Sequence, residues 1–85
     1  MPRDREWNVL QREREQQALS MADEHLDAGR ARIRRQVALL RDLRASGHDT
    51  AQAVRLLALL RDSVAVEREH RHLIQIRLAT LPADD

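Results

Sequence analysis

Residues Ala45-Ser46-Gly47-His48-Asp49-Thr50 place a helix stop directly before a helix start, between two long segments of helical periodicity, and this leaves the chain few folds to choose from. Gly47 suits the left-handed conformation that closes a helix, and Arg41 and Arg44 in the preceding turn suit the negative end of its dipole. Asp49 is placed to act as N-cap of the next helix, with Gln52 three residues on completing a capping-box-like pair. So short a connection makes the two helices antiparallel neighbours.

The helix before the turn carries Leu19, Ala22, Leu26, Gly29, Ile33, Gln36, Leu40 and Leu43 at alternating steps of three and four, a heptad seam. The helix after it repeats the pattern with Ala53, Leu57, Leu60, Val64, Glu67, Arg71, Ile74, Leu78 and Leu81, until Pro82 ends it. The expected organisation is a charged N-terminal extension over 1–17, a helical hairpin over 18–81 with its turn at 46–49, and a loose tail over 82–85. No Gly or Pro falls between Arg3 and Ala28, so the extension reads as a continuation of the first helix with a frayed start, although Ser20-Met21-Ala22-Asp23 would also serve as a capping box opening a separate helix. Trp7 is expected to staple onto the end of the hairpin. Gly29 lowers helix propensity by roughly 1 kcal/mol relative to Ala, which implies a packing reason such as close helix approach. Counting outward from the turn allows two registers. Leu43, Ile33 and Leu19 meet either Thr50, Leu60 and Ile74, or Val54, Val64 and Leu78 one helical turn away.

A second seam on the later helix is the informative anomaly. Leu56, Leu59, Ser63, Val66, His70 and Leu73 also step by three and four, beside the first seam. A two-helix hairpin buries only one of the two. Leaving large aliphatic side chains in water forfeits roughly 1.5 to 3 kcal/mol each relative to burial, and contiguous exposed apolar strips mark interfaces. A companion stripe of Ala18, Met21, His25, Ala28, Arg32 and Leu39 lies on the earlier helix. The reading is an all-α, coiled-coil-like antiparallel hairpin that dimerises into a four-helix bundle or docks a helical partner through Leu56, Leu59, Val66, His70, Leu73, Leu39 and Met21. Doubling the core in this way answers the marginal stability of an 85-residue chain without cysteine.

Composition narrows the function. All fifteen basic side chains are Arg, against fourteen acidic ones. The charges are interspersed, as on solvated helix faces. Trp7 is the only aromatic residue, so base stacking is not available for reading single strands. Arg30-Ala31-Arg32-Ile33-Arg34-Arg35 is the densest basic stretch, and Arg30, Arg34 and Arg35 are its candidates for phosphate contact. Spread around a helix, they make no broad positive stripe, which disfavours nucleic acid as a partner. There is no apolar run of membrane-spanning length and no signal sequence, so a cytoplasmic protein is expected.

For chemistry, His25 and His70 lie at nearly equal distances from the turn and on the same side of the two helices, where they are expected to meet. Glu67 precedes His70 by three, and Glu-x-x-His puts a carboxylate and an imidazole on one helix face, an arrangement used in di-metal bundles. His25, Glu67 and His70 are therefore candidate ligands for a divalent metal. The competing reading is a set of surface ion pairs made by Glu67, Arg68 and Arg71 beside hydrogen-bonded histidines. No other cofactor is implied. A nucleophile-and-base set, a Gly-rich phosphate loop and zinc spacing are all missing, so a non-enzymatic module is expected.

Gly47-His48-Asp49-Thr50, followed by Leu56-Leu57, Leu59-Leu60 and His70-Arg71-His72, resembles short helical-hairpin proteins encoded in proteobacterial genomes, over roughly residues 20 to 80. The resemblance implies the hairpin and carries no activity with it.

Overall fold

The structure, a computed structural model, describes residues 2–82, with side chains from Arg5 onward. Ala83, Asp84 and Asp85, most of the expected tail, lie outside the described residues. The chain is all-helical there. Helix α1 spans Pro2–Ala45 and α2 spans Ala51–Thr80, and the two pack against each other. Ser20-Met21-Ala22-Asp23, a sequence that also suits a helix start, lies within uninterrupted α1 with Ala22 buried in the seam.

The turn follows from its residues. Gly47 adopts φ +70°, in the left-handed region. With it there, the His48 amide donates to the Leu43 carbonyl at 2.9 Å and the Gly47 amide to the Arg44 carbonyl at 3.1 Å. These are the paired bonds of a Schellman closure, which satisfy carbonyls that the helix end would otherwise leave open. Across the turn, Asp49 Oδ1 accepts from the Ala51 amide at 3.0 Å. The aspartate thus caps the first helical N–H, while the residue at the N-cap position itself is Thr50. The expected return bond from Gln52 is not made among the described residues.

Every position of the two inner seams is buried or half-buried. Near the turn Leu40, Ala53 and Leu57 form a core cluster with Ile33, Val37 and Leu43 against it. Farther out Val64, Leu26, Ala22 and Ile74 continue the core, and Ile74 is fully enclosed. Gln36 is the buried polar member, and its Nε2 donates to the Ala53 carbonyl at 3.0 Å. A Cβ placed on Gly29 would lie 2.8 Å from Val64 Cγ2, so the glycine allows α1 to sit close against a β-branched side chain. Opposing Gly29 to Val64 and Leu40 to Ala53 selects the first of the two registers.

The helices differ in length, 44 residues against 30, because the charged N-terminal extension continues α1 without a break. Arg12 donates to the Pro82 carbonyl at 2.8 Å, marking the open end of the hairpin. The N-terminal part of α1 before it projects beyond α2, giving an outline of 69 × 14 × 13 Å. Trp7 is on that overhang and 57% exposed. Having no α2 beside it, it does not staple the hairpin end.

Candidate interaction surface

The outer stripes lie on one side of the seam. Leu39 and Leu56 line one groove with Gln36 and Ala53, and farther along His25, Ala28 and Arg32 line another with Ser63 and Glu67. Steps of three and four carry the α2 stripe on through Leu59, Val66, His70 and Leu73. None is covered: Leu59 is 65% exposed, Val66 68%, and Leu56, Leu73, Leu39 and Met21 close to half. In the second groove Ala28, Gly29 and Ser63 are small and lie between the polar side chains of His25, Arg32 and Glu67. On α1 the same steps lead back from Met21 through Ala18 and Arg14 to Leu10 and Trp7. The overhang therefore continues the apolar face beyond the hairpin, a continuity absent from the sequence reading although the helical period alone contains it.

A polar layer borders this face. Glu67 Oε2 is buried without a hydrogen bond, and His25 Nδ1 lies 3.8 Å from it. His70 is exposed. Among the described residues no three His, Asp or Glu side chains gather closely enough to hold a metal ion, so a single hairpin brings together His25 and Glu67 and not the His25, Glu67 and His70 trio. Arg71 reaches across to Asp23 instead of pairing along α2, and Arg77 Nε lies 3.1 Å from Glu15 Oε1.

Beyond the seam on the other side, Arg30, Arg68 and Arg71 surround Asp23 and Leu26 in an open, polar depression. Arg30 thus joins two arginines of α2, while Arg34 and Arg35 stay exposed on α1. The interhelical register is what groups them. Among the described residues no helix is long and apolar enough to cross a membrane. No family model, curated protein or solved structure matches this chain.

Proposed function

We propose that the protein is a small non-enzymatic interaction module whose apolar face, formed by both helices, associates with a second copy or a helical partner to complete a four-helix bundle. The observation that carries this reading is the uncovered stripe of Leu56, Leu59, Val66 and Leu73 beside Met21 and Leu39, on a hairpin whose other seam is already filled. A core made by two helices is marginal for a domain of this size, and joining apolar faces is the direct physical remedy. Replacing Leu59 and Val66 together by Glu tests it. Two charges in the closed interface lose hydration without gaining partners, so sedimentation should report a smaller species and circular dichroism a lower melting temperature. An assembly of unchanged mass and stability would remove this face from consideration.

A further inference from the structure

We propose that the occupant of this face is a second copy of the chain laid antiparallel, with the overhang of each α1 covering the loop end of its partner's groove. The proposal rests on the interaction reading above and adds the partner's identity and orientation to it.

The spacing along the face is self-complementary about one level. Position 23 of α1 is midway between Trp7 and Leu39, between Arg14 and Arg32, between Ala18 and Ala28, and between Met21 and His25. On α2 the midpoint of Val66 and Leu73 falls between Glu69 and His70. The contact between Asp23 and Arg71 puts these two midpoints side by side. A two-fold axis crossing the face at that level lays α1 on α1 and α2 on α2, so that every neighbouring pair of helices is antiparallel. Trp7 then meets Leu39, Val66 meets Leu73, and Ala18 opposite Ala28 permits close approach in the middle. Arg14 and Arg32 also fall opposite one another. Both are exposed, and their long stems can lie on the apolar face while the guanidinium groups reach water.

The alternative two-fold, running along the helices, also joins apolar stripes, setting Leu39 on Leu56 and Met21 on Leu73. It leaves the overhangs uncovered, because α2 ends at Thr80 and no helix of the partner stands at the level of Trp7 and Leu10. The antiparallel arrangement covers both. It also engages α1 over its length, and a hairpin with an outline of 69 × 14 Å has room on one side for the roughly 800 Å² per partner of a stable interface.

Because the chain has no cysteine, single Cys substitutions report contacts cleanly. Oxidising a mixture of Ala18→Cys and Ala28→Cys chains should yield mainly the mixed disulfide dimer. Identical copies would hold these thiols ten residues apart along α1, roughly 15 Å, outside disulfide reach. A mixture of Ala28→Cys and Val66→Cys chains should cross-link poorly, and efficient cross-linking there would establish the parallel arrangement and overturn this one. In the unaltered chain Trp7 emission should shift to the blue as concentration carries the protein from monomer to dimer. A dimer whose Trp7 emission does not move overturns the covered overhang while leaving self-association standing. A chain that stays monomeric at all concentrations in sedimentation overturns both the second copy and its orientation.

Discussion

Gly29→Ala pits two effects of known size against each other. Alanine in the middle of α1 gains roughly 1 kcal/mol of helix propensity over glycine, and on an open helix face it would raise the melting temperature. Here the new Cβ would lie 2.8 Å from Val64 Cγ2. Val64 is buried, short and branched at Cβ, so it has no flexible end to swing aside. Inserting a methyl into such a contact costs about 1–3 kcal/mol, so the net effect should be a loss of up to about 2 kcal/mol, or roughly 4–8 °C per kcal/mol for a domain of this size. Val64→Ala should itself destabilise, yet in that background the methyl has room and Gly29→Ala should gain the full propensity term. The sign reversal is the test. Thermal and urea unfolding of the four proteins of the cycle, followed by circular dichroism at one fixed concentration because association shifts apparent stability, gives the coupling directly. A Gly29→Ala protein more stable than the parent would refute the claim that close helix approach explains this glycine.

Gly47→Ala should destabilise by about 1–2 kcal/mol from backbone conformation alone, since nothing lies within 4 Å of its Cβ position; Gly47→Asn should lose less, as urea titration will show. Gln36→Ala removes a buried side chain and its hydrogen bond to the Ala53 carbonyl and should lower stability by about 2 kcal/mol, whereas Gln36→Met, which keeps the volume, should lose less in the same melts. Arg77→Ala breaks the half-exposed pair with Glu15 and should change stability by less than about 1 kcal/mol, with the difference shrinking further in high salt. Nucleic-acid binding should be no tighter than nonspecific at physiological ionic strength. A salt-dependent submicromolar complex with a defined RNA, weakened by replacing Arg34 and Arg35, would reverse that expectation.

The inner seams were legible because a period of three and four residues fixes which side chains face the neighbouring helix, whatever that neighbour is. The turn was legible because only a residue tolerant of positive φ could sit where Gly47 sits. Register was narrowed to two choices one helical turn apart, each setting Ile33 and Leu19 on apolar partners, and the pairing of Gly29 with Val64 separates them. The polar contacts between the helices were hidden for the same reason: Asp23 pairs with Arg71, and Glu67 comes near His25, only once the register is set. Trp7 was misplaced by turning it back onto the hairpin end, although a continuous α1 carries it past the end of α2. Forty-five residues precede the turn and far fewer follow it before Pro82, so a count along the chain already contained the overhang.

A hairpin closed at one end by a Schellman turn also has a built-in order of assembly. Its contacts grow steadily less local away from the turn: 17 residues separate Gln36 from Ala53, 48 separate Asp23 from Arg71, and 70 separate Arg12 from Pro82. Closing the first layer makes the second nearly local, so the helices should zip outward from Gly47 instead of meeting at random, and the reverse process should begin at the open end. Amide exchange should accordingly be slowest around Leu40 and Leu57 and fastest toward Arg12 and Pro82. Substitutions at Gly47 should then slow folding, and those at Glu15 or Arg77 should mainly speed unfolding. An occupant that grips the open end would lengthen the lifetime of the folded chain without altering how quickly it forms.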